Sequence, residues 1–95
     1  MYHVKYMNIP HVKRDEFIKC TKAFIEVAEK SEYAEGAWLF HPRGSSYLFA
    51  IVTKCKDYAF WEKFWYSPET LEARRSFAPI NMGEKDRFFD EVKIE

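Results

Sequence analysis

The sequence predicts an α+β fold of the ferredoxin-like type: elements in the order β-α-β-β-α-β, with a four-stranded antiparallel sheet carrying helices on one face. Three observations lead there. Segments of strand and helix periodicity alternate along the chain. The run 47–53 is almost continuously apolar, which reads as a central strand covered on both faces. The aromatic stretch 58–66 has helical spacing, with Trp61 and Trp65 four apart and Phe60 and Phe64 four apart, so a short helix carries a broad aromatic wall.

Each element has its own signal. Residues 2–9 are rich in β-branched and aromatic side chains and read as the first strand, ended by Pro10. From 12 to 30, Phe17, Cys20, Thr21, Phe24, Val27 and Ala28 recur at helical spacing, with Asp15 and Glu16 placed to favour the positive end of the helix dipole. Phe17 and Phe24 are the expected core of that helix, and Cys20 is expected on its buried face. Gly36 precedes a second strand at 37–41. Pro42 and Gly44 punctuate the turn before the third strand at 47–53. The aromatic helix spans 57–66. Ser67 then caps a further helix over 68–77, with Pro68 in its first turn. A loop at 78–83 leads to a last strand at 87–94.

At 95 residues the chain reads as one domain, 1–95. It is 47% hydrophobic and 19% aromatic, too apolar for disorder and aromatic enough to leave an uncovered patch on a small monomer. Apolar residues on both strand faces point to a homodimer packed sheet to sheet. Fifteen basic and fifteen acidic residues cancel, which leaves no electrostatic footprint for nucleic acid. No run reaches membrane-spanning length, and the alternating start at 1–5 is not read as a secretory signal. Cys20 and Cys55 lack metal-ligand spacing, so no metal site is expected, and reduced thiols in a cytoplasmic protein are the expectation. Cys55 is placed at a strand end, where Lys54 and Lys56 stand to lower its pKa.

The candidate site residues divide between a functional and a plain reading. Asn8 either hydrogen-bonds a ligand as the polar catalytic group or starts the turn before Pro10. Val4, Tyr6 and Asn8 share one side of their strand, and that side is expected to face the helices. Trp61, Phe64 and Trp65 either line a pocket for a flat ligand or pack helix on sheet. Arg74 and Arg75 either clamp an acidic edge or lie on a solvated helix face. His41 is either a proton shuttle or a hairpin residue. His3 and His11 are read as surface residues. Phosphate-loop, dinucleotide, zinc-protease and nucleophile-elbow motifs do not occur.

The order of elements, the length and the aromatic second helix resemble the dimeric α+β barrel superfamily, and within it the antibiotic-biosynthesis-monooxygenase family. The likeness spans nearly the whole chain and is one of pattern more than of motif. A haem-degrading branch is similar in three places. Asn8 matches an Asn near the end of the first strand, and Phe64 or Trp65 matches a Trp of the second helix. Residues 66–73 match the break before the next helix, but Arg74 and Arg75 stand where that branch has its haem-ligating His. The resemblance implies a dimeric barrel and a cofactor-light monooxygenase acting on a flat aromatic or haem-like molecule, with haem as substrate or ligand. In that reading Asn8 orients oxygen, Trp61, Phe64 and Trp65 shape the wall, and Arg74 or Arg75 binds an acidic edge. The competing reading is a non-catalytic dimeric module that binds a small hydrophobic molecule.

Overall fold

A computed structural model describes residues 1–80 and 83–94. The elements are β1 (Tyr2–Asn8), a short 3-10 turn (His11–Lys13), α1 (Arg14–Lys30), β2 (Gly36–Phe40), β3 (Leu48–Lys54), α2 (Tyr58–Trp65), α3 (Pro68–Arg75) and β4 (Glu84–Phe89). The four strands form one sheet in the order β2-β3-β1-β4, with every neighbouring pair antiparallel. This is the ferredoxin-like arrangement.

Barrel closure is where the expectation fails. β2 and β4 are the two edges and do not pair with one another, so the sheet is open. Four strands are too few to curl round and meet, since a small closed barrel takes about eight. β3 is a central strand with no exposed residue on either face, while exposed aromatic side chains of the sheet's outer face stand on β2 beside it. Phe49, Ile51 and Thr53 are buried beneath the helices, but the sheet's other face carries Trp38 and Phe40 at 45% and 55% exposure. Continuous apolarity along β3 thus reflects one face in the core and one face half-covered by its neighbours.

The last strand lies three residues earlier than its sequence signal. β1 pairs with β4 from Tyr2↔Phe89 to Met7↔Glu84, so the residues after Phe89 have almost no β1 left to pair with. The mixed charges of 84–87 hide a strand that sits at an edge, where charge discourages pairing with other molecules. The helix expected from 12 begins at Arg14; Val12 lies in the 3-10 turn and is exposed. Of the loop expected at 78–83, residues 81 and 82 lie outside the described residues, and Ile80 closes a turn back to the Phe77 carbonyl at 3.0 Å.

The core lies between the sheet and the helices. α1 buries Phe17, Thr21, Phe24 and Ala28, spaced four, three and four apart, so one stripe faces the sheet. Phe17 meets Phe49 at 4.9 Å between centroids, and Phe24 meets Phe64 at 5.8 Å. Cys20 sits half-buried at the stripe's edge, its thiol 3.7 Å from the Ser76 carbonyl. Asp57 caps α2 by accepting from the Phe60 N–H at 2.9 Å. Ser67 joins α2 to α3: its hydroxyl donates to the Phe64 carbonyl at 2.9 Å and accepts from the Thr70 N–H at 3.4 Å. On the open face Gly36 lies under Trp38, and a Cβ there would come within 3.0 Å of the indole.

Phe24 is 2% exposed. Its replacement by alanine removes a ring from between three other aromatic side chains, Phe64, Trp65 and Phe77. Phe24→Ala is expected to lower the unfolding free energy by about 3–5 kcal/mol in urea titration; a loss below about 1 kcal/mol would place the ring outside the core.

Candidate functional site

Strand alternation decides which β1 side chains reach the helices. His3, Lys5 and Met7 face them; Val4 and Tyr6 take the other side, and Asn8 shares their parity. On β3 the cross-strand partners of His3, Lys5 and Met7 are Thr53, Ile51 and Phe49. Above this row a cavity of about 330 Å³ lies between the sheet and the helices. Met7, Phe24, Ile51, Trp65 and Phe77 form its apolar wall. His3, Lys5, Thr53, Arg74, Arg75 and Glu84 contribute its polar wall.

Of the residues singled out from sequence, Trp65, Arg74 and Arg75 come together at this cavity. Trp61 stands behind them, stacked on Trp65 at 5.4 Å with the rings 21° apart. Phe64 is fully buried in the core beside Phe24. Asn8 is exposed at the end of β1 and is not on the cavity wall. His41 lies away from it too: its ring sits on Phe49, and its Nδ1 is 2.8 Å from the Leu48 carbonyl oxygen. Cys55 is buried rather than exposed. Burial pushes its thiol up to about 11, against the lowering expected from Lys54 and Lys56, so it is a poor nucleophile near neutrality.

The residue that sequence reading missed is His3. It was expected at the surface and is 1% exposed. Its ring is packed among Trp61, Trp65 and Phe88 at 4.9, 4.8 and 5.0 Å. Nε2 pairs with Asp86 Oδ1 at 2.7 Å, while Nδ1 has no hydrogen-bond partner. Lys5, 15% exposed, reaches Asp86 at 3.2 Å and Glu84 at 3.3 Å. Burial lowers the His3 pKa, and the Asp86 hydrogen bond only partly offsets it. A neutral ring with its proton on Nε2 donates to Asp86 and leaves Nδ1 as a bare acceptor. For Asp86, desolvation opposes ionisation, but His3 and Lys5 together outweigh it and hold the carboxyl below its ordinary value.

The cationic side of the site is built on Trp65. The Arg74 guanidinium lies 4.2 Å from the Trp65 ring centroid, and its Nη1 donates to the Trp65 carbonyl at 3.0 Å. Lys5 Nζ lies 5.4 Å from the same ring. Arg75 is exposed at the cavity's open side.

The haem-ligating His of the haem-degrading branch has no counterpart on α3, the helix that carries Arg74 and Arg75. Among the described residues, His3 and Met7 are the cavity-wall side chains of a type that ligates haem iron. Met7 is buried in the core, and His3 Nε2 is held by Asp86 inside an aromatic cage. Arg74 and Arg75 have no lone pair to offer. Among the described residues no three His, Cys, Asp or Glu side chains converge as a metal site.

No protein-family model matches the chain, and no curated protein matches it. Solved structures do share its fold. A conserved protein from Methanosarcina mazei Go1 has a TM-score of 0.87 at 14% identity, over 96% of this chain and 91% of that one. SnoaB, a cofactor-independent oxygenase from Streptomyces nogalater, has a TM-score of 0.84 at 9% identity, over 98% and 93%. An antibiotic biosynthesis monooxygenase has a TM-score of 0.81 at 13% identity, over 98% and 100%. At these identities the likeness is one of fold.

The buried His3 gives stability a defined pH dependence. The folded state holds it neutral, while the unfolded chain takes up a proton at the ordinary value of 6.5. Stability from this residue is therefore complete above 6.5 and declines as pH falls below it. Asp86, whose folded pKa lies below 3.8, adds a second loss at lower pH. The His3 ring resonance is expected to titrate with a midpoint below 6.5 in NMR, and urea unfolding at about pH 5.5 is expected to be easier than at about pH 7.5. A midpoint above 6.5 would reverse the sign.

Proposed function

We propose that this protein is an oxygenase that binds a flat aromatic molecule in the cavity between sheet and helices and lets dioxygen oxidise it without a resident cofactor. The observation that carries the reading is the cavity itself: about 330 Å³, walled by Met7, Phe24, Ile51, Trp65 and Phe77, with cationic side chains at its open side. Its fold, shared with proteins named as cofactor-independent and antibiotic-biosynthesis oxygenases, supports the reading. Trp65 supplies a stacking face. Lys5, Arg74 and Arg75 attract an acidic edge of the ligand. Trp61 and Phe64 back the wall and do not touch the ligand. The substrate supplies the electrons: a phenol and dioxygen become a quinone and water, with one oxygen atom retained in each product. Asn8 and His41 take no part.

A non-catalytic binding module keeps the same cavity and ligand class. The placement of Asn8 off the cavity wall favours it, because the one polar group picked from sequence for handling oxygen is elsewhere. Dioxygen uptake separates the two. With a panel of hydroxylated polycyclic arenes, ligand entry is expected to quench Trp fluorescence, and at least one arene is expected to drive oxygen consumption. Trp65→Ala is expected to weaken that arene's binding by about tenfold or more, on the scale of lost aromatic stacking. Quenching without oxygen uptake across the panel would establish the binding module, and absence of both would remove the cavity as a ligand site.

The open sheet face is read as a self-association surface. Trp38, Phe40 and Phe89 are exposed on it around the more covered Val4, Ala50 and Val52, and a cluster of exposed aromatic side chains is of the kind that marks an interaction surface. A second copy of this chain brings the same aromatic surface. Sedimentation at micromolar concentration is expected to give about twice the 11.4 kDa chain mass, and Trp38→Lys is expected to return it to the monomer. A monomer in the unaltered protein would contradict the assignment.

A further inference from the structure

Two residues of the cavity wall, His3 and Thr53, each carry a buried polar atom without a hydrogen-bond partner: Nδ1 and Oγ1. They belong to residues paired directly across the β1–β3 ladder, His3↔Thr53, both on the helix side of the sheet. Each side chain is almost fully buried, at 1% and 0% exposure. A buried donor or acceptor left unsatisfied costs free energy, so two on cross-strand partners that both line a cavity mark a place where a polar ligand atom restores what folding removed. Among the described residues, the other unpartnered buried side-chain polar atoms, Thr21 Oγ1 and Trp61 Nε1, belong to residues off that wall.

We propose that His3 and Thr53 form the polar end of the cavity, that together they seat a hydroxyl group of the aromatic ligand, and that His3 is the base that takes its proton. This deepens the oxygenase reading and rests on it: it makes the substrate a phenol or an enol. The chemistry balances as a single proton transfer. The ligand O–H bond breaks, an N–H bond forms at Nδ1, and the electron pair stays on the ligand oxygen as a phenolate. Thr53 Oγ–H donates to that oxygen. Asp86 accepts from Nε2 throughout, which fixes the ring's tautomer and faces the imidazolium once it forms.

The charges around His3 agree with this order of events. From β4, the Asp86 carboxylate favours the imidazolium; from β1 and α3, Lys5 and Arg74 oppose it, and burial opposes it most. α2 contributes Trp61 and Trp65, which carry no charge. With the cavity empty the ring stays neutral and is ready to accept. With a phenol seated, the new negative charge lies opposite His3 and within the field of Lys5 and Arg74, so the proton moves as the ligand becomes an anion. A base that charges only when its substrate is in place keeps a buried cation out of the resting protein.

A naphthol and its methyl ether test this directly. The naphthol's absorption moves to longer wavelength when it ionises; the ether has the same ring and no proton to give. At about pH 7 the protein is expected to bind the naphthol as its anion and about tenfold or more tighter than the ether. His3→Phe, which keeps a ring inside the aromatic cage, is expected to leave the naphthol un-ionised and to lose the preference for it over the ether. Thr53→Val is expected to weaken the naphthol more than the ether, whose oxygen is the poorer acceptor. Asp86→Asn, which alters a positioning residue, is expected to shift the pH profile of naphthol ionisation. If the protein binds naphthol and ether equally, with the naphthol un-ionised, the proton-transfer assignment is overturned while the aromatic cavity stands. If His3→Phe retains the ionised naphthol, His3 is not the base. If neither compound binds, the cavity reading falls and this inference falls with it.

Discussion

The site depends above all on β1, which carries His3 and Lys5 and, pairing on both edges, is held in register from both sides. Strand geometry then leaves it no freedom: every second side chain must enter the helical layer. The three that enter are His3, Lys5 and Met7, two of them polar. A sheet that sends an imidazole and an ammonium into its own core needs partners for both. β4 supplies Asp86 and Glu84 from directly alongside, and α2 and α3 supply the aromatic cage and the stacked Arg74. Buried charges persist only when paired, so much of the chemistry on this face follows from which residues β1 places there.

The fold was readable because its signals were redundant. Helix spacing of Phe17, Thr21, Phe24 and Ala28, the Ser67-Pro68 start of α3 and the apolar run of β3 each agree with the structure. Closure of the sheet was not readable, since apolar side chains on both strand faces say that a face is covered without saying by what or in which curvature. The placement of β4 was hidden by its charges and becomes clear only through its register on β1.

The candidate site was legible in part. Trp65, Arg74 and Arg75 stand on helices whose aromatic and basic positions pointed one way. Asn8 and His3 were misplaced for a single reason. Along residues 4–9 both parities carry apolar residues: Val4 and Tyr6 on one side, Met7 and Ile9 on the other. Tyr6 suggested the inner face, yet a tyrosine keeps its hydroxyl wet more readily at an outer face. A parity error of one residue carries every side chain of a strand to the opposite face, and here it exchanged Asn8 for His3. No feature local to residues 2–8 resolves it. The partner does: Phe49 and Ile51 are larger than Ala50, and they face Met7 and Lys5.

β4 is an edge strand with one neighbour, and all six of its side chains are exposed. Such a segment is where a domain first comes apart under native conditions, at a cost well below that of global unfolding. It is also the segment that carries Asp86. Each fraying of this strand takes away the carboxylate paired with His3 and leaves the imidazole alone in its cage, so the His3–Asp86 pair follows the local opening equilibrium of the sheet's edge, not the stability of the core beneath it.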